Sequence, residues 1–169
     1  MANLDPWTQR PTEEANLFNP AFLGALASEF LKDFAKSHSE GAPLTTVIIA
    51  LTTSLHRESR ETLPHSTVTS LYQWLQENER LLIGFATRAK NLAPYIKEGL
   101  LFAMSCGVIA CGETHALLPG ATKASFSKSF VDHTTSETKA IIDRTKFMGR
   151  WLSKSGSEIS IAAAWGVKP

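Results

Sequence analysis

The sequence predicts a mainly α-helical fold: a helical domain with a winged-helix-like helix-turn-helix and one small β-hairpin. Three observations point there. Apolar residues recur at steps of three and four through several segments, the spacing of a helix face. Capping residues and prolines stand where those segments begin. After Gly107 the pattern turns to Val-Ile, then a glycine, then Leu-Leu, which reads as two short strands around a turn. Helix, helix, hairpin is the order of a winged helix-turn-helix.

Residues 1–11 contain Pro6 and Pro11 and read as an extended N-terminal arm. Residues 12–169 read as one helical, winged-helix-like domain. Thr12 followed by Glu13 and Glu14 resembles a helix start, with a cap and early negative charge. Asn19-Pro20 breaks that segment. From Ala21, the residues Phe22, Leu23, Leu26, Phe30, Leu31 and Phe34 form one helical stripe ending near Ser37. Residues 44–55 are ambiguous. Their Thr-Val-Ile-Ile centre suits a strand, whereas Val47, Leu51 and Leu55 stand four apart. The length of the run favours a buried helix. Residues 57–63 are polar and read as a charged loop or helical turn.

Residues 66–77 read as a helix capped by Ser66 or Thr67, with Val68, Leu71, Tyr72 and Leu75 on its apolar face. A second helix starts at Asn78 and ends near Asn91. A third starts near Ala93-Pro94, where proline fits a first turn, and ends at Gly107. The expected strand pairing joins residues 108–110 to 115–118 around Gly112. Residues 119–133 are rich in Ser, Lys and Thr and read as a mobile or surface linker. Thr134 or Thr135 caps a long helix over 136–155, and Gly156 ends it. A short helix or strand holds Ile159, Ile161 and Trp165.

Composition narrows the function. The chain has 169 residues, enough to bury roughly 70% of its unfolded surface without disulfides or a metal. Hydrophobic residues make up 43% and charged residues 20%, which excludes a disordered chain. Lys plus Arg total 17 against 16 Asp plus Glu, so the net charge is +1. A strongly basic nucleic-acid coat is excluded, although a local basic patch is not. The first residues do not resemble a secretory signal. The longest apolar run, near 44–55, is interrupted by threonines and is too short to span a membrane. With two cysteines only, Cys106 and Cys111, the expectation is a reduced, cytoplasmic protein.

Tests for chemistry fail. The segment Gly120-Ala121-Thr122-Lys123 lacks the first glycine of a phosphate loop, and no dinucleotide glycine pattern exists. Cys106, Cys111 and His115 are one ligand short of a structural zinc site, so the cysteines read as small buried thiols. The histidines His38, His56, His65, His115 and His133 stand near no nucleophile elbow. The sequence thus predicts no catalytic, cofactor-binding or metal residues. Arg88, Lys90 and Lys97 are weak candidates for nucleic-acid contact. The last helix of the helix-turn-helix has few polar side chains for base readout, so a protein-binding module is the better reading. Leu17, Phe18, Asn19 and Trp165 are candidates for a partner interface, because they place apolar surface in terminal segments. The alternative for those side chains is burial in the core.

Several strings appear in order along the chain. They are Glu13-Glu14-Ala15-Asn16-Leu17-Phe18-Asn19-Pro20-Ala21-Phe22, Leu63-Pro64, Trp74-Leu75-Gln76-Glu77-Asn78, Gly84-Phe85-Ala86 with Arg88-Ala89, Gly149-Arg150-Trp151 and Trp165-Gly166-Val167-Lys168-Pro169. Together, from about residue 10 to 169, they resemble the three-component ABC system middle component family of bacteria. The resemblance implies a non-enzymatic accessory subunit that bridges an ABC or SMC-like ATPase and a separate effector protein. The setting would be an anti-phage or anti-plasmid defence complex similar to Lamassu-type systems. The residues themselves predict no cofactor and no membrane span, and an indirect contact with DNA stays open. The alternative reading is a DNA-binding winged-helix transcriptional regulator.

Overall fold

A computed structural model describes residues 4–168 of the chain. Its helices are α1 (Thr12–Leu17), α2 (Pro20–Phe34), α3 (Leu44–Leu55), α4 (Arg57–Thr62), α5 (Leu71–Glu77) and α6 (Phe85–Ser105). The strands β1 (Ile109–Cys111) and β2 (Leu117–Pro119) follow, then α7 (Lys128–His133), α8 (Ser136–Leu152) and α9 (Glu158–Ala164). The mainly helical class with one hairpin is as expected.

The central helix is α2, which packs against both α6 and α8. Asn19 starts it: the side-chain oxygen accepts from the amides of Ala21 and Phe22, and Pro20 occupies the first turn, where it has no bond to lose. Leu23, Leu26, Phe30 and Leu31 are buried at or below 1% exposure, so the apolar stripe read from the sequence is the core face. Contact with α6 is close because two glycines meet there. A Cβ on Gly24 would lie 2.7 Å from the Gly99 carbonyl oxygen, and one on Gly99 would lie 2.7 Å from Leu23 Cβ. Gly99→Leu is therefore expected to cost about 1–3 kcal/mol by forcing the helices apart, read as a lower thermal midpoint of the isolated chain.

Polar groups complete the α2–α8 contact. Glu29 pairs with Lys32 at 2.9 Å and Lys146 at 3.3 Å, and Asp33 pairs with Lys36 and Arg150. Both carboxylates are buried, so these partners offset a desolvation cost that would otherwise be severe.

Residues 44–55 are a helix despite their β-branched centre. Burial decides this, since Thr46, Val47, Ile49, Ala50, Leu51, Thr52 and Thr53 are all at or below 1% exposure. Within the helix, the Thr53 hydroxyl donates to the Ile49 carbonyl at 2.8 Å, so one buried hydroxyl is satisfied locally.

The region 66–105 differs from expectation. The helix expected from Ser66 begins only at Leu71, and Val68, placed on the apolar face, is 90% exposed. The two helices expected around Ala93-Pro94 are one, α6, with Pro94 inside it. The turn of a helix-turn-helix at that point is therefore absent. A proline interior to a helix removes one hydrogen bond. Continuity survives because α6 buries Phe85 and Ala89 before the proline and Ile96, Leu100 and Ala103 after it. The break falls earlier, at Gly84, whose φ of 71° suits glycine and separates α6 from a 3₁₀ turn over Glu79–Leu82.

The hairpin forms as expected, one to two residues displaced. Ile109 faces Pro119, Ala110 faces Leu118 and Cys111 faces Leu117. Both cysteines are exposed, contrary to the buried thiols expected. Cys106 follows the last turn of α6, and Cys111 is the exposed last residue of β1. Among the described residues, no group of three or more His, Cys, Asp or Glu could hold a metal ion.

The linker is not loose throughout. Ser127 caps α7, and Phe126 packs on Phe22 and Phe130 with ring centroids 5.7 and 5.5 Å apart. Lys32 donates to the Ala124 carbonyl. At the other end of α2, His38 reaches the end of α8. Its Nε2 lies 2.7 Å from the Ser153 carbonyl and its Nδ1 3.2 Å from the Glu40 carboxylate. Both nitrogens face acceptors, which only the imidazolium can satisfy together. The Glu40 hydrogen bond foremost, and the Ser153 carbonyl next, raise the His38 pKa. The resulting stabilisation is complete below the unfolded value of about 6.5 and is lost as pH rises through the folded one. The stability difference between native chain and His38→Gln should therefore shrink from about pH 6 to pH 8. Thermal melts of the two proteins across that range check it. Taking the difference also cancels His56, whose pKa burial lowers.

Candidate partner-binding site

The N-terminal segment is held on α6. Of the expected extended arm, residues 1–3 lie outside the described residues, and Trp7–Gln9 form a 3₁₀ turn. Arg10, 9% exposed, donates to both carboxylate oxygens of Glu98 at 2.7 and 2.8 Å and to the Asp5 carbonyl at 2.8 Å. Its guanidinium lies within 6 Å of the Trp7 and Tyr95 rings, 5.6 and 5.9 Å from their centroids. Its hydrogen bond with Glu98 is the main cause of its raised pKa. Tyr95 in turn donates to Glu14 at 2.8 Å. Burial and then this bond push its phenol pKa up.

This clamp sets how α1 meets α2. α1 ends at Phe18, and Asn19 redirects the chain into α2. The bend turns Phe18 inward onto Tyr95, with centroids 4.5 Å apart, and leaves Leu17 60% exposed. Beside the bend is an apolar groove of about 570 Å³. Leu17, Phe18 and Phe22 form one wall; Leu55 of α3, Leu92 of α6, Phe130 of α7 and Ile141 of α8 form the others. Phe130 is itself 44% exposed. Asn16, Asn19, Thr135 and Thr138 place hydrogen-bonding groups along the edge. His56 lies there too, and its Nδ1 accepts from the Ser59 amide, which needs the neutral ring. Burial, foremost, and the nearby Arg88 lower its pKa and keep it neutral. An apolar floor with a polar edge, whose carboxylate Glu137 is paired with Arg60, suits a protein side chain better than a phosphate.

The expected interface residues divide. Leu17, Phe18 and Asn19 do meet in this groove. Trp165 does not: it is 1% exposed, in the core, with its ring 4.4 Å from Phe85 and 5.9 Å from Trp74 between centroids. Its short helix α9 packs on α3, which carries the ring inward. The basic trio divides as well. Arg88 is spent on structure, donating to the carbonyls of Ile83 and Leu81 and lying over the Phe85 ring. Lys90 and Lys97 are exposed on α6, along a second groove. Sequence reasoning passed over Phe130, Leu55, Leu92 and Ile141. One signal for Phe130 was present: Ser127 precedes it by three residues, the spacing of an N-cap.

The structure defines a mainly helical domain with one hairpin and an exposed aromatic groove. The family follows from the sequence as a whole. The chain belongs to the ABC-three component (ABC-3C) system Middle Component 3 family, whose model matches residues 7–169. Its place in a multi-component system implies protein partners. No curated protein and no solved structure matches the chain. Among the described residues, no helix is long and apolar enough to cross a membrane.

Proposed function

We propose that this chain is a non-enzymatic bridging subunit, joining an ABC/SMC-type ATPase to an effector in a cytoplasmic anti-phage or anti-plasmid defence complex of bacteria. One observation carries the reading beyond family membership: the groove at the α1–α2 bend, where Leu17 and Phe130 stand exposed over an apolar floor. Exposed aromatic and aliphatic side chains converging in one groove mark protein contact surfaces. Leu17, Phe18 and Asn19 are the contacts assigned to a partner. Co-expression of the tagged full chain with the other two components of its system tests this. Recovery of both in stoichiometric amount is the expected result. A chain that leaves its companions behind and shifts short duplexes on a gel would instead be a DNA-binding regulator.

A further inference from the structure

The second groove lies between α3, α6 and the residues after α9, and encloses about 580 Å³. Leu44 and Ile48 of α3, Ala89 and Ala93 of α6, and Val167 make its floor. Its rim is cationic. Lys90 and Lys97 line it, and neither forms an ion pair among the described residues. No Asp or Glu lines it among those residues. Beyond Lys97 the same face of α6 continues to Leu101, four residues on and 67% exposed.

We infer that this groove takes an acidic amphipathic helix of a partner protein. The lysines stand seven residues apart, about 10.5 Å along the helix axis. That spacing matches carboxylates two turns apart on a helix lying alongside. Between the lysines the surface is apolar, so it accepts the leucine-type stripe that such a helix carries. A nucleic-acid backbone fits worse, since phosphates bridging Lys90 and Lys97 would be desolvated against the apolar floor of Leu44, Ile48 and Ala93. Charge complementarity of this kind selects the partner and its orientation more than it adds affinity. The groove meets a different face of α6 from the one that carries Leu92. At 100° per residue, Ala93 and Leu92 point in clearly different directions. The inference concerns a site separate from the α1–α2 groove and stands whichever protein fills that one.

The test uses the full chain and a labelled peptide of about 16 residues, long enough for helix formation to be within reach of binding. Its leucines follow helical spacing, and its flanking positions are glutamate. A twin peptide carries lysine for glutamate, and a short DNA duplex is the third probe. By fluorescence anisotropy, the glutamate peptide should bind with Kd on the order of 10–100 μM and more weakly as salt rises. Lys90→Glu/Lys97→Glu should weaken it at least tenfold, as should Ala93→Trp, which fills the floor. Circular dichroism should show both variants folded. The twin peptide should not bind. No binding of the glutamate peptide, equal binding of the twin, unchanged binding by both variants, or displacement of the peptide by duplex would each overturn the inference. Any of these leaves recovery of the companion components unaffected, so the two claims fail separately.

Discussion

Trp165→Ala is expected to destabilise the isolated chain by about 3–5 kcal/mol, the range for removing a buried aromatic ring. The indole sits where three elements meet. It contacts Phe85 at the start of α6 and Trp74 of α5, and Trp74 in turn meets Trp151 of α8 edge-on at 5.5 Å between centroids. Removing it opens a cavity in the core beside Phe85 and Trp74. For a chain of this length the thermal midpoint should fall on the order of 10 °C. Trp165→Phe separates packing from hydrogen bonding. The indole nitrogen is buried without a partner, so losing it removes a desolvated donor rather than a bond. That variant should cost far less than alanine. A midpoint unchanged by alanine would mean that the end of α9 is not docked in the core.

The second large effect is on association. Leu17→Asp should leave the midpoint of the lone chain nearly unchanged, because the side chain is 60% exposed. Phe130→Ala should behave similarly, with a small loss from its stacking on Phe126. Both should reduce recovery of a companion component by at least about tenfold, the effect of a hot-spot side chain at a contact centre. Co-purification alongside thermal melts reads the two outcomes together. Phe18→Ala is the less clean probe, since its stacking on Tyr95 also steadies the α1–α2 bend.

Much of this was legible locally. Asn19-Pro20 marks the start of α2 because both residues act on the adjacent turn, and Thr135 caps α8 for the same reason. Leu17, Phe18 and Asn19 were found together because the bend that joins them is itself local. What could not be read depends on distant partners. Pro94 looks like a helix start until the continuous packing of α6 on α2 is known. Trp165 and Leu17 look alike as apolar residues near chain ends. Only the position of α9 over α3 buries one, and only the α1–α2 bend, which turns Phe18 inward, leaves the other exposed. Phe130 enters the groove through the path of residues 119–133 across α2, which composition presented as a polar linker.

Hydrogen–deuterium exchange of the full chain, alone and assembled with its two companion components, tests the bridging account most directly. Binding at the α1–α2 groove should slow exchange in residues 12–22 and 128–141, with little change along the buried centre of α2. A stable three-component assembly in which those two segments exchange as fast as in the free chain would contradict it.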